Sequence, residues 1–171
     1  DRATFEIMRS SQAKVWSEAA LESYLNDLDT AMAEGQNPVA YKYAYMMEQT
    51  FPDEYERIKN MLPPVSPYKL SLVDKICDYY GQWTFEAYTK YPKLTSRGRP
   101  ITTKAAGSGR WAAVDNYFRS ELLTYSERTL LLCLSDTEAA FKRSENLVIA
   151  ILENTAKAYG YDSIEDAESK L

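Results

Sequence analysis

The clearest chemical feature of the sequence is a basic segment at residues 90–110. It holds six basic and no acidic residues, and because the chain has a net charge of −5, the remainder carries −11. The six are Lys90, Lys93, Arg97, Arg99, Lys104 and Arg110. Glycine-containing backbone beside arginine and lysine can surround a phosphate or carboxylate. We therefore expect an anion-binding site at Arg97, Arg99, Lys104 and Arg110. The alternative is a solvated loop resting on an acidic body, as charge runs commonly are.

A second candidate surface lies in the first apolar helical stripe. Gln12 falls between Met8 and Val15 on that stripe, with Arg9 and Trp16 about one turn away. A buried amide needs hydrogen-bond partners. Gln12 therefore either bonds a neighbouring helix or lines a pocket together with Arg9 and Trp16.

Tyrosine is unusually frequent, with 14 tyrosines against 5 phenylalanines. Tyr41 and Tyr45 are four residues apart and share one helix face. Tyrosine suits surfaces that are apolar at one end and wet at the other, such as pocket walls and protein interfaces. We expect Tyr41 and Tyr45 to contribute to a binding face, the alternative being that the tyrosines fill the boundary of a helical core.

Catalytic chemistry is restricted because the chain contains no histidine. That absence excludes Ser-His-Asp and Cys-His catalysis, histidine-ligated zinc and Glu-x-x-His di-iron sites. Two pairs of carboxylates at i, i+4 could hold magnesium if they faced each other, namely Glu18 with Glu22 and Asp74 with Asp78. Their spacing lacks the dense pattern of all-helical pyrophosphohydrolases. The sequence assigns no catalytic residue, no metal and no cofactor, and a carboxylate/magnesium-dependent phosphohydrolase or a partner-completed enzyme is the alternative.

Nucleic acid and membrane are disfavoured as partners. The run at residues 97–100, RGRP, resembles the core of an AT-hook. However, a pI near 4.9 gives the whole molecule a field that repels polyanions and anionic lipid. A mean hydropathy of −0.47, without an apolar run of about 18 residues, excludes a membrane span. The two cysteines, Cys77 and Cys133, fit reduced core positions and favour a cytoplasmic location.

The elements that must position these residues are helical. Apolar residues recur at intervals of three and four almost throughout. The pattern predicts an all-α fold: an irregular bundle of about seven helices forming one domain, 1–171, with a long central helix at 67–91 and a loop at 92–110. Helix starts are expected at Asn37, Ser66, Ser126, Ser144 and Ser163. The apolar stripe of the first helix either continues to Glu34, or Ser17 caps a separate second helix. Gly35 and Gly160 are expected to end helices. The helix beginning at Ser126 should bury Leu130, Leu131, Leu134 and Phe141.

Several runs resemble an uncharacterised bacterial family, domain of unknown function forty-one twenty-five (DUF4125). They are TFEIMRSSQ at 4–12 followed by Trp16, LESYLNDL at 21–28, YAYMME at 43–48, KYPKL at 90–94, ELLTYS at 121–126, and ENT and YGY at 153–161. The resemblance spans nearly the whole chain and implies a bacterial, cytoplasmic, all-helical protein, without an activity to transfer. It also implies a Gly-rich, Cys-containing stretch before Asp1, so we expect the chain to begin part-way into its gene product. The surface of Arg9, Gln12 and Trp16 would then adjoin that stretch.

Together these features predict a non-catalytic binding or interaction module. Its partner would be a small anionic or aromatic ligand or another protein, a second copy of this chain in a homodimer included.

Overall fold

The computed structural model describes residues 1–98 and 113–171, and within those ranges it contains ten α-helices and no strand. The helices are α1 Arg2–Ala13, α2 Glu18–Ala33, α3 Pro38–Thr50, α4 Pro52–Ile58, α5 Pro67–Lys90, α6 Pro92–Thr95, α7 Val114–Leu122, α8 Glu127–Lys142, α9 Leu147–Ala158 and α10 Ile164–Lys170. A 3₁₀ turn at Lys59–Met61 follows α4. The all-α prediction is confirmed. None of the helices in the described ranges is long and apolar enough to cross a membrane.

Helix starts follow the polar residues that the sequence offers as N-caps. In five of the six candidate positions the side-chain oxygen accepts a hydrogen bond from the backbone N–H three residues later: Ser17, Asn37, Ser66, Ser126 and Ser163. Each cap satisfies one of the four N–H groups that a helix start leaves unpaired. Gly35 and Gly160 follow helix ends with φ of 68° and 92°, a region that favours glycine.

The start predicted at Ser144 is wrong. Ser144 has a φ of 57°, so it lies in the turn, and α9 is capped by Asn146. The Asn146 carbonyl oxygen accepts from the N–H of Ile149 at 3.0 Å, and its amide donates to the carbonyl of Trp83 at 3.1 Å. Because one side chain both caps α9 and binds α5, Asn146 is the better start.

The helix count exceeds the predicted seven in part because Pro92 begins a single helical turn, α6, within the predicted loop. Pro52 likewise stands at the first position of the short helix α4. The loop predicted at 92–110 therefore starts later, after Thr95. Residues 99–110 of that loop, together with residues 111 and 112, lie outside the described part of the chain.

The core is organised around α5, as predicted. This helix packs against α7, α8 and α9, while α2 packs on α8, α3 on α7, and α1 on α9. The buried side chains of α5 include Leu72, Val73, Ile76, Tyr80 and Trp83. Cys133 is buried and Cys77 half-buried, both as free thiols, and burial raises the pKa of each to about 12. Both cysteines are therefore packing residues in a protonated state.

The buried face of α8 is narrower than predicted. Leu130 and Leu134 are buried, but Leu131 and Phe141 are 45% and 50% exposed. Phe141 lies over the edge of Tyr79, with 5.0 Å between ring centroids. Since α5 and α2 both approach α8 along the stripe of Leu130, Leu131 is left on the outer side.

Candidate functional site

A buried carboxylate joins three helices. Glu121, on α7, is 6% exposed. Its Oε1 accepts a hydrogen bond from Nη1 of Arg9 on α1 at 2.7 Å, and its Oε2 lies 2.9 Å from Nζ of Lys42 on α3. Lys42 is itself buried. One acidic and two basic side chains thus form a cluster with a net charge of +1, in which Glu121 and Lys42 are buried and Arg9 is partly exposed.

Aromatic rings surround this cluster. The second guanidinium nitrogen of Arg9 donates to the Tyr24 hydroxyl at 2.8 Å, and the Tyr125 hydroxyl donates to Glu121 at 3.4 Å. The rings of Tyr24 and Tyr125 lie 4.7 Å apart between centroids. Nζ of Lys42 lies 3.6 Å from the ring centroid of Tyr117, a cation–π contact. The excess positive charge is therefore distributed over ring faces and hydroxyl oxygens.

The cluster keeps Glu121 ionised. Burial acts to raise the pKa of Glu121, but the charges of Arg9 and Lys42 and their hydrogen bonds hold that pKa below its ordinary value. Burial, together with the negative charge on Glu121, raises the pKa of Tyr125 well above its ordinary value. Tyr125 therefore keeps its proton and remains a donor to Glu121.

A cleft of about 470 Å³ opens on the other side of the Tyr24–Tyr125 pair. It lies between α2, the first half of α3, the first turn of α5 and the turn that joins α7 to α8. Four tyrosines line it, namely Tyr24, Tyr41, Tyr45 and Tyr125. Its charged lining residues are Asp27, Lys69 and Arg128.

The aromatic walls of the cleft are fixed in place. The Tyr45 hydroxyl donates to the carbonyl of Pro63 at 3.0 Å, and burial raises the pKa of Tyr45 to about 12. Tyr24 and Tyr125 are held from behind by Arg9 and Glu121. Three of the four rings thus have anchored hydroxyl groups, so the cleft offers a preformed aromatic surface.

Asp27 in the cleft has hydrogen-bond partners within the protein, whereas Lys69 has no salt bridge with a described residue. Oδ2 of Asp27 accepts from the backbone N–H of Ser126 at 2.9 Å and from the Thr129 hydroxyl at 2.7 Å. Lys69 is half-buried, and no salt bridge within 4.0 Å reaches it from the described residues. Burial lowers the pKa of Lys69, against the opposing charges of Asp27 and Glu127. A partly dehydrated ammonium therefore borders the cleft without a contacting carboxylate.

The structure separates the predicted site residues. Tyr41 and Tyr45 line the cleft together, while Arg9 stands behind its wall. Trp16 packs elsewhere, with its ring centroid 6.2 Å from that of Tyr80. Gln12 is half-buried and is not among the residues that line the cleft. The pocket predicted from Arg9, Gln12 and Trp16 does not coincide with the tyrosine cleft.

The basic segment begins at the far end of the molecule from the cleft. Arg97 is exposed after α6, and its neighbour Gly98 lies against the Tyr88 hydroxyl near the end of α5. Tyr88 is nineteen residues beyond Lys69 on α5, a rise of about 28 Å. Arg99, Lys104 and Arg110 lie outside the described residues, so the anion site expected there stays a prediction.

The carboxylate pairs do not form a metal site in the ranges 1–98 and 113–171. Glu18, Glu22, Asp74 and Asp78 are all exposed, and Asp74 lies 3.7 Å from Arg119. Those ranges contain no group of three or more cysteine or acidic side chains placed to hold a metal ion.

Four charged residues of the site are missing from the sequence-based prediction. Lys42 stands between two tyrosines and Glu121 directly precedes two leucines, and these neighbours are the sequence signal of their burial. Lys69 and Arg128 stand in the first turns of helices, where the helix dipole disfavours a cation. That placement was readable from the predicted caps at Ser66 and Ser126.

Comparison with known families agrees with the resemblance seen in the sequence. A family model described as "Protein of unknown function (DUF4125)" matches residues 1–169. Neither the curated proteins nor the solved structures give a match.

Replacement of Glu121 tests the buried cluster. Glu121→Gln leaves Lys42 buried without its counter-charge, so we expect a loss of about 3–5 kcal/mol in the free energy of unfolding. For a chain of this size that lowers Tm by roughly 10 °C. The matched variant is Glu6→Gln, which removes a 61% exposed partner of Arg2 and should change stability by less than about 0.5 kcal/mol.

The pH dependence of the free energy of unfolding, compared between wild type and Glu121→Gln, checks the direction of the pKa shift of Glu121. Because the folded-state pKa of Glu121 is depressed, its contribution is complete above the unfolded value of about 4.3 and is lost as pH falls through the folded value. The difference between wild type and Glu121→Gln should therefore shrink below about pH 4.3. Equal stability of wild type, Glu121→Gln and Glu6→Gln at pH 7 would contradict the cluster's structural role.

Replacement of Lys69 tests whether this residue contributes to the stability of the fold. Because burial disfavours its charged form, Lys69→Met should leave stability unchanged or raise it by up to about 1 kcal/mol at pH 7. Lys75→Met, at an exposed position of the same helix, is the control. Chemical denaturation gives the comparison, and a loss of more than about 1 kcal/mol for Lys69→Met alone would make Lys69 a structural residue.

Proposed function

The chain belongs to the DUF4125 family, and we propose that it is a binding module for a small molecule that places an aromatic group in the cleft beside Tyr41. The observation that carries this proposal is the cleft itself. Its volume of about 470 Å³ falls within the range of ligand pockets, roughly 300–1,000 Å³. Four tyrosines contributed by three segments of the chain meet there.

The tyrosine walls present accessible ring faces to a ligand. Here Tyr41 and Tyr24 remain half-buried while lining an open cleft. Their rings can stack on a ligand ring in offset or edge-to-face geometry, an interaction that contributes about 0.5–1.5 kcal/mol beyond the area buried.

Preorganisation supports the same conclusion. Ordering a mobile side chain on binding costs roughly 0.5–1.5 kcal/mol. Tyr45 is anchored to Pro63, and Tyr24 and Tyr125 are anchored to the Arg9–Glu121 pair before any ligand arrives. Most of that ordering is therefore already complete in the folded protein.

The polar groups of the cleft favour binding over catalysis. Asp27, the carboxylate that lines it, holds the start of α8 through Ser126 and Thr129. Ser126 is engaged in turn, since its hydroxyl donates to Thr129 and accepts from the N–H of that residue. These groups maintain the shape of the cleft. A protein partner and a homodimer stay predictions that no contact in the structure tests.

Loss of the ring at position 41 tests the proposal. We expect Tyr41→Leu to weaken binding of aromatic probes about tenfold, because it removes the half-buried ring that faces the ligand. Suitable probes are 3-phenylpropionate and indole-3-acetate, with 3-cyclohexylpropionate as the non-aromatic analogue. Saturation-transfer NMR measures their affinity for wild type and variant.

The control is Tyr159→Leu, which changes a 53% exposed tyrosine that does not line the cleft. This variant should bind the probes as wild type does. Two results would contradict the proposal: no saturation transfer to any probe, or equal losses in Tyr41→Leu and Tyr159→Leu.

A further inference from the structure

We infer that the cleft selects an anionic group on its aromatic ligand, a carboxylate or phosphate bound between Lys69 and Arg128. The inference rests on the proposed function and specifies the class of ligand. The two basic side chains and Asp27 give the cleft lining a net charge of +1. That sign is opposite to the net charge of −5 on the whole chain, so the positive charge here is local.

Lys69 is the residue whose state most requires a ligand. Its ammonium is partly dehydrated, yet it forms no salt bridge with a described residue. The charges of Asp27 and Glu127 act on Lys69 without an ion-pair contact, and Oδ2 of Asp27 already accepts two hydrogen bonds. An incoming anion would supply the contacting charge partner that Lys69 lacks.

The backbone around the cleft adds to the positive potential. Pro38, Lys69 and Arg128 each lie in the first turn of a helix, α3, α5 and α8 respectively. A helix N-terminus carries a partial positive charge of about half an electron. The starts of α5 and α8 are adjacent, because the Ser66 hydroxyl donates to Glu127 at 2.8 Å. Glu127 offsets part of this charge but is bound to Ser66.

A positively charged side chain in the first turn of a helix destabilises that helix. First-turn positions favour acidic residues, and a lysine or arginine there opposes the dipole. Lys69 and Arg128 are therefore poorly explained by helix stability. An anion between them would be attracted by both side chains and by the helix ends, and a guanidinium can bind carboxylate or phosphate through two hydrogen bonds.

The same arrangement orients the ligand. Tyr45 is fixed to Pro63, and the chain continues from Pro63 through the cap at Ser66 to Lys69. The aromatic wall and the basic rim are thus parts of one continuous boundary. A ligand whose anionic group contacts Lys69 would place its ring against Tyr41 and Tyr45.

The test compares matched charged and neutral probes. We expect 3-phenylpropionate and phenyl phosphate to bind wild type about tenfold more tightly than 3-phenylpropionamide, with the preference decreasing as salt concentration rises. In the double variant Lys69→Gln/Arg128→Gln, the preference for the anionic probes over the amide should disappear. The affinity for the amide should be unchanged. Lys75→Gln is the control and should retain the wild-type preference.

Each outcome separates the two levels of the proposal. Equal affinity of wild type for acid and amide overturns the anion inference but leaves the aromatic cleft intact. A preference that survives in Lys69→Gln/Arg128→Gln also overturns it, because the anion is then bound elsewhere. Absence of binding by all three probes overturns the proposed function as well. The stronger of the two anionic probes shows whether carboxylate or phosphate is preferred.

Discussion

The structure depends on one buried carboxylate, Glu121, whose charge must be balanced inside the protein. An isolated carboxylate in this environment would be strongly destabilising, so Arg9 and Lys42 must both approach within hydrogen-bonding distance. This requirement ties α1 and α3 to α7 through ion pairs, and it fixes Tyr24 and Tyr125 through the same groups. The cluster thereby specifies how helices distant in sequence pack, in addition to any stability that it contributes.

The cleft is a consequence of that arrangement. Because Tyr24 and Tyr125 are held from behind, their rings form one part of the wall, and α3 supplies another part with Tyr41 and Tyr45. The starts of α5 and α8 then bring Lys69 and Arg128 to the rim. An acidic protein thus presents a small basic and aromatic cavity, a combination suited to an anionic aromatic molecule.

Much of the fold follows from local sequence. The helix starts at Ser66 and Ser126 follow from one side chain each, and the burial of α5 follows from its apolar period. The shared helix face of Tyr41 and Tyr45, which both line the cleft, follows from their spacing alone. The ion-pair partners of Glu121 could not be predicted from the sequence. Arg9 is 112 residues away from Glu121, and a single charged residue carries no periodic signal. The helix start predicted at Ser144 is wrong for a related reason. The actual cap, Asn146, also makes a contact with Trp83 that is distant in sequence.

The proposed binding of a ligand in the tyrosine cleft is tested most directly by a titration of isotope-labelled protein with 3-phenylpropionate, followed by amide and aromatic NMR. We expect the largest chemical-shift changes at the rings of Tyr41 and Tyr45 and at the amides of the turn between α7 and α8. Changes concentrated at Arg97 or around Trp16, with the cleft unaffected, would contradict binding in the cleft.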